Sequence, residues 1–204
     1  MAVNVAISGF GRIGRLVLRS IIESKRKDIN VVAINDLAPV DTNAFLLAND
    51  TVHGPLNEKI SVKKNKMTIG RKTISVLNER DPQKLPWKKM KIDVALECTG
   101  LFTSKEKASM HIKAGAKKVL VSAPCSEADK TIVYGVNEQE ITKNDLVVSN
   151  ASCTTNCLAP VVKVLHEEFG IVHGYMTTIH AFTGDQSVLD TFHPEIIIYR
   201  DESM

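Results

Sequence analysis

Val3-Asn4-Val5-Ala6-Ile7-Ser8 runs directly into Gly9-Phe10-Gly11-Arg12-Ile13-Gly14, and the reading of these residues decides the fold. A short apolar, β-branched run that ends in glycine reads as a buried strand. From Arg12 to Ser24 the apolar residues Ile13, Leu16, Val17, Ile21 and Ile22 recur at helical spacing. A second apolar run, Ile29 to Asn35 (INVVAIN), is closed by Asp36. Strand, glycine turn, helix, strand and acid make a βαβ unit whose strands run parallel and are covered on both faces.

The glycines fit G-x-G-x-x-G, a weak pattern alone that gains weight between a strand and a helix with an acid about 20 residues on. Gly9 allows the tight turn, Gly11 removes a side chain where a pyrophosphate must approach, and Gly14 lets helix and strand pack closely. The helix start offers unbonded N–H groups to the phosphates. Asp36 can accept from both ribose hydroxyls and would repel a 2′-phosphate, which favours NAD over NADP. The competing reading is a plain β-turn-helix start without a ligand.

Working outward, Asp41 to Asn49 reads as a short helix. Lys59 to Leu77 alternates polar and apolar residues with breaks at Lys63–Lys66 and Gly70–Lys72, as in a small antiparallel meander. DPQKLPWKK reads as a loop. Strands are expected at Ile92 to Glu97, Lys118 to Ser122, Thr131 to Tyr134 and Leu146 to Val148. Helices are expected at Ser104 to Ala114, closed by Gly115, and at Cys153 to Phe169, stopping at Gly170. Ile171 to Phe182 reads as a β-rich run. The fold class is α/β: a Rossmann-type doubly wound parallel sheet with an antiparallel insertion, followed by the start of an α+β catalytic domain. Residues 1–150 form the dinucleotide domain in this reading, and 151–204 the truncated beginning of the second.

The composition fits this picture. Of 204 residues, 44% are hydrophobic and 24% charged, with a net charge of +3. Collagen-like, disordered and disulfide-scaffold classes are excluded. No window reaches the run of about 18 apolar residues that a membrane span needs, and the first residues lack a secretory pattern, so a cytoplasmic protein without membrane partners is expected. The lysine clusters flank strand-like runs with almost no aromatic residues between them, which reads as solvated faces rather than a nucleic-acid surface. The four cysteines are expected as reduced thiols.

One of those thiols stands out. In Ser149-Asn150-Ala151-Ser152-Cys153-Thr154-Thr155-Asn156-Cys157, an apolar strand leads into a helix, and Ser152 is a natural N-cap. Cys153 then lies in the first turn, where the helix dipole and free N–H groups favour a nucleophilic thiolate. Cys157, one turn on, would lie deeper and inert. A small buried residue is the plainer reading of Cys153. A zinc site built with His166 or His180 is disfavoured by the C-x₃-C spacing and the lack of a second ligand pair, so no metal is expected. An activated cysteine needs a base, and spacing alone does not choose among the six histidines.

At these residues the sequence resembles phosphorylating glyceraldehyde-3-phosphate dehydrogenases, from Val3 to about Asp190. The resemblance rests on Asn4 to Arg15, VAINDL (Val32 to Leu37), ECTG (Glu97 to Gly100), VSAP (Val121 to Pro124), SNASCTTNCLAP (Ser149 to Pro160) and TTIHAFTGDQ (Thr177 to Gln186). It implies that Cys153 attacks the aldehyde of glyceraldehyde 3-phosphate, that the adduct is oxidised by NAD to a thioester, and that inorganic phosphate releases 1,3-bisphosphoglycerate. It implies His180 as the base. Ser152, Thr154 and Thr183 would bind the phosphates of substrate and inorganic phosphate. Arg12 and Ile13 fall to the pyrophosphate, Asp36 to the adenosine ribose, Arg80 to the adenine end, and Thr99, Gly100 and Ser122 to the strands beneath the dinucleotide. A homotetramer is implied as well. Chains of the family run on well beyond this one, and Thr191 to Met204 departs from their pattern, so a truncated or frameshifted chain, an engineered fragment or an incomplete gene model is expected. The alternatives are an inactive NAD-binding module and a sister dehydrogenase acting on erythrose 4-phosphate.

Overall fold

A computed structural model describes residues 2–181 and 183. The chain divides into two units, Met1–Phe169 and Gly170–Met204. The first unit opens with β1 (Val3–Ser8), α1 (Arg12–Glu23) and β2 (Ile29–Asn35), where the apolar pattern puts them. Next come α2 (Val40–Ala48) and the two-residue strands β3 (Asn49–Asp50) and β4 (Gly54–Pro55). The expected meander follows as β5 (Ile60–Lys63), β6 (Lys66–Ile69) and β7 (Lys72–Leu77). The rest comprises β8 (Val94–Glu97), the one-turn helices α3 (Lys105–Ala108) and α4 (Met110–Lys113), β9 (Lys118–Val121), β10 (Lys130–Thr131), β11 (Val147–Ser149) and α5 (Cys153–Phe169).

The main sheet has the order β10-β11-β9-β8-β1-β2-β7-β6-β5. Its stretch β7-β2-β1-β8-β9-β11 is parallel throughout and has the doubly wound 3-2-1-4-5-6 order. The meander adds β6 and β5 antiparallel at one edge. Alternation along β1 sorts the core. Val5 and Ile7 pack with Leu18 of α1, whereas Ala6 faces the opposite cluster around Trp87. Ala6 pairs with Ala33 on one side and Ala95 on the other, so three small side chains lie abreast. That flat strip accommodates the indole of Trp87, which is fully buried.

Several boundaries differ from the sequence reading, each for a local reason. The helix expected over Ser104 to Ala114 is two turns divided at Ser109, whose hydroxyl donates back to the Lys105 carbonyl at 2.6 Å. The strand expected to reach Tyr134 stops at Thr131. There the Asn137 side chain takes over the pairing, accepting from the Val133 N–H at 2.9 Å and donating to the Thr131 carbonyl at 3.1 Å. The loop after Arg80 contains one 3₁₀ turn, Pro82–Lys84, capped by the Asp81 carboxylate. In the second unit, residues 171–181 form no strand. A strand needs a neighbour to receive its N–H and C=O groups, and none of the described residues fills that place. Phe182 and Thr191 to Met204 lie outside the described residues.

Candidate active site

Register brings most of the candidate residues of the first unit to one edge. Leu77, Asn35, Ser8, Glu97, Val121 and Ser149 are paired successively across β7, β2, β1, β8, β9 and β11. Because these strands are parallel, the residues that follow all leave the same end of the sheet: Arg80, Asp36, Gly9, Thr99, Ser122 and Cys153. Strands are spaced by about 4.8 Å, so this edge runs roughly 24 Å from β7 to β11. In doubly wound folds the ligand crevice lies outside the carboxyl ends of the strands.

The glycine turn is shaped by its neighbours. Gly9 has φ +85°, and a Cβ there would sit 2.6 Å from the Thr99 nitrogen. At Gly14 a Cβ would stand 2.1 Å from the Gly9 carbonyl oxygen, so helix and turn close on bare backbone. A Cβ on Gly11 would meet nothing within 4 Å. Helix α1 has no side-chain cap and no acid in its first turn, so its first N–H groups have no side-chain acceptor from the cap position. A cleft of about 330 Å³ lies against this turn, walled by Asp36, Arg80, Thr99, Leu101 and Phe102. Ser8 also lines it, and its hydroxyl is a buried polar group without a hydrogen-bond partner among the described residues.

Asp36 has a structural role of its own. One carboxylate oxygen accepts from the Phe10 N–H at 2.7 Å and the other from the Ala38 N–H at 2.8 Å. Each oxygen retains a lone pair, so the acid holds the glycine turn and still has an acceptor to offer. Arg12 is aimed by a residue the sequence reading missed, for Asp50 receives its guanidinium at 2.6 Å. The Asp50 carboxyl is held below its ordinary range, first by the His53 backbone N–H, then by the Val52 N–H, the His53 ring and Arg12. The buried Arg19 anchors this loop by donating to the carbonyls of His53, Gly54 and Pro55. Asp50 has no periodic signature, and Arg19 sits inside an amphipathic helix where an exposed arginine is the default, so neither was marked by pattern.

At the far end of the edge, β11 passes through Ala151, a buried non-glycine residue with φ +58°, before α5 begins. Ser152 is the N-cap, its hydroxyl accepting from the Thr155 N–H at 3.0 Å. That hydroxyl also lies 3.0 Å from the Thr154 hydroxyl. Cys153 is therefore in the first turn, and it is exposed. Cys157 is exposed too, contrary to the deeper position expected for it, because α5 buries none of its residues. Cys98, beneath Gly9, is different: burial pushes its thiol up to about 11, against a hydrogen bond with Ser122. His180 and Thr183 belong to the second unit, where the Nδ1–H of His180 donates to the Ala181 carbonyl at 2.5 Å. Among the described residues, no group of three or more His, Cys, Asp or Glu side chains could hold a metal ion, and no helix is long and apolar enough to cross a membrane.

Comparison with known proteins agrees with this geometry. Residues 3–105 match the family model "Glyceraldehyde 3-phosphate dehydrogenase, NAD binding domain", and residues 152–201 match "Glyceraldehyde 3-phosphate dehydrogenase, C-terminal domain". The chain is 58% identical over 204 residues to a glyceraldehyde-3-phosphate dehydrogenase of Xanthobacter flavus, covering 100% of this chain and 61% of that one. A Cereibacter sphaeroides protein of the same name is 59% identical over 196 residues, covering 96% and 58% respectively. One from Geobacillus stearothermophilus is 52% identical over 197 residues, covering 96% and 58%. The chain thus spans about three fifths of the length of the curated relatives it matches. It belongs to the glyceraldehyde 3-phosphate dehydrogenase family.

Proposed function

We propose that the chain carries the NAD-binding domain (1–150) and the nucleophilic segment (151–204) of a phosphorylating glyceraldehyde-3-phosphate dehydrogenase. The observation that carries this reading is the single sheet edge. It sets an open glycine turn and an exposed first-turn cysteine at the ends of parallel strands three places apart.

The residues fit a dinucleotide. The bare Cα of Gly11 and the uncapped start of α1 suit a pyrophosphate next to Arg12 and Ile13. Asp36 offers its remaining lone pairs to the adenosine ribose, Arg80 flanks the adenine end, and Thr99, Gly100 and Ser122 form the floor. When bound, NAD supplies a hydride acceptor. Cys153 as thiolate adds to the aldehyde carbon of glyceraldehyde 3-phosphate, and the first-turn N–H groups of α5 stabilise the resulting oxyanion. His180, protonated while it holds Cys153 as the thiolate, would give that oxyanion its proton and take it back as general base when the carbon gives up its hydride, leaving a thioester on Cys153. Inorganic phosphate, held with the substrate by Ser152, Thr154 and Thr183, attacks the thioester carbon. The thiolate leaves, and 1,3-bisphosphoglycerate is released. A cytoplasmic homotetramer belongs to the same reading.

A second reading has its own support. Helix α5 buries no residue, and Val161, Val164 and Phe169 are exposed by 56%, 58% and 81%. That face favours a cofactor-binding module that does not turn over. The test is NADH formation by the 204-residue chain and its Cys153→Ser variant with glyceraldehyde 3-phosphate, NAD and inorganic phosphate. Phosphate-dependent turnover lost in the variant supports the dehydrogenase. NAD binding without turnover supports the module. Faster turnover with erythrose 4-phosphate points to the sister activity.

A further inference from the structure

Behind the cleft wall runs a hydrogen-bonded chain that reaches the cleft only at Thr99. Trp87, His111 and Glu97 are 0%, 0% and 1% exposed. The Trp87 indole N–H donates to Nδ1 of His111 at 3.0 Å. Nε2 of His111 lies 2.9 Å from one Glu97 carboxylate oxygen. The other Glu97 oxygen accepts from the Thr99 backbone N–H at 2.7 Å and from the Thr99 hydroxyl. That hydroxyl in turn accepts from the Leu101 N–H at 3.0 Å.

The chemistry of the donors fixes every proton. An indole N–H can only donate, so Nδ1 of His111 is an acceptor and carries no proton. The imidazole is then the neutral Nε2–H tautomer and donates to Glu97. Glu97 accepts from three donors and is a carboxylate. Its bonds to Thr99 hold the turn on which Gly9 rests, since a Cβ on Gly9 would touch the Thr99 nitrogen. The same turn continues into Leu101 and Phe102, which wall the cleft.

We infer that Glu97 is a positioning residue for the dinucleotide: anchored by the tautomer-locked His111–Trp87 pair, it fixes the 98–102 wall against the glycine turn and so sets the affinity for NAD. The inference rests on the NAD reading above, and it carries a distinctive consequence. In Glu97→Gln, either orientation of the amide sets an N–H against an N–H, facing His111 in one case and Thr99 in the other. Removing the indole donor lets His111 move its proton to Nδ1, and Nε2 can then accept from the amide. Trp87→Phe added to Glu97→Gln therefore restores the bonds of the amide to His111 and Thr99, and leaves the one unpaired donor, Nδ1–H of His111, on the side of the imidazole away from Thr99. A role in volume or rigidity alone predicts that two core substitutions together are worse than one.

The test uses the 204-residue chain with NAD titrated calorimetrically, together with long-range proton–nitrogen correlation spectra of His111. Glu97→Gln is expected to weaken NAD by up to about tenfold, the limit reached when the whole cost of the unpaired buried donor falls on the NAD-bound form. The double variant is expected to recover most of that loss, with the His111 proton on Nε2 in the wild type and on Nδ1 in the double variant. A wild-type spectrum with the proton on Nδ1 overturns the inference without any binding data, even if a variant fails to fold. So does NAD affinity that is equal in all variants, or lower in the double variant than in Glu97→Gln. A wild-type chain that does not bind NAD overturns the NAD reading itself and this inference with it.

Discussion

Two glycines of one turn should respond oppositely to the same added methyl. At Gly14 a Cβ would lie 2.1 Å from the Gly9 carbonyl oxygen and 3.1 Å from a methyl of Ile7. Relief needs α1 or the glycine turn to move by roughly an ångström, and overpacking of this kind costs about 1–3 kcal/mol. The better helix propensity of alanine returns up to about 1 kcal/mol, so Gly14→Ala should lose about 1.5 kcal/mol of stability, within a range of about 0–3 kcal/mol. At Gly11 φ is −68° and nothing lies within 4 Å of the new Cβ. A stiffer unfolded chain returns about 0.4–1 kcal/mol, and the poorer N-cap takes back a few tenths or more. Gly11→Ala should therefore change stability by less than about 0.5 kcal/mol.

Its effect on the ligand should be large. With the pyrophosphate where we propose it, the methyl would occupy the space through which phosphate oxygens reach the first N–H groups of α1. Losing one hydrogen bond to a charged group is worth about 1.5–3 kcal/mol, which is roughly 10- to 100-fold in Kd. Urea midpoints followed by circular dichroism and NAD titration by calorimetry measure both quantities on the same samples. Gly11→Ala binding NAD as tightly as the wild type would refute the placement of the pyrophosphate at this turn. Gly14→Ala unfolding at the wild-type midpoint would refute the packing argument.

Other expectations follow from single residues. Asp36→Ala should weaken NAD and narrow the gap to NADP, and because Asp36 also ties down the Phe10 N–H it should lower the urea midpoint; an unchanged NAD/NADP affinity ratio would refute the ribose assignment. Ala151→Val should cost about 1–3 kcal/mol in urea unfolding, since a β-branched residue is strained at positive φ, whereas Ala151→Gly should lose nothing. With the Cys98 thiol pushed up to about 11, roughly one in a thousand of these groups is a thiolate at pH 8, so alkylation followed by mass spectrometry should mark Cys153 long before Cys98. Cys153 alkylation should slow in His180→Ala, and equal rates would remove the assigned base. The Asp28 carboxyl, lowered to about 2 chiefly by its hydrogen bond from Arg26, should titrate there by NMR. Being depressed on folding, it stabilises the fold above its unfolded value of about 4 and ceases to do so as pH falls through 2.

What could be read from sequence follows from where each element finds its partners. β1, α1 and β2 fall on the residues their periodicity indicates because each is buried by close neighbours in the chain. Ser152 was legible as a cap and Cys153 as a first-turn residue for the same reason, since capping is decided within four residues. Asp50 and the Trp87–His111–Glu97 chain were not legible, because their significance lies in contacts between residues 14 to 38 positions apart. Pattern sees an aspartate and a histidine; only the register and the turn show which atoms they face.

The sequence reading failed most clearly where a strand or a buried helix depends on partners that none of the described residues provides. Residues 171–181 carry β-branched and aromatic side chains, yet form no strand, and Tyr175 and Ile179 are fully exposed. Helix α5 does form, although it too buries nothing. The contrast is physical: a helix closes its own hydrogen bonds, whereas a strand cannot. The dinucleotide cradle, built from strands paired within the first unit, needs no such help. Cofactor affinity should therefore be a property of the first unit alone, while turnover should require whatever covers α5. A chain extended by the further two fifths found in its relatives should gain turnover with little change in NAD affinity; a large rise in NAD affinity on extension would show that the cradle is not complete in this unit.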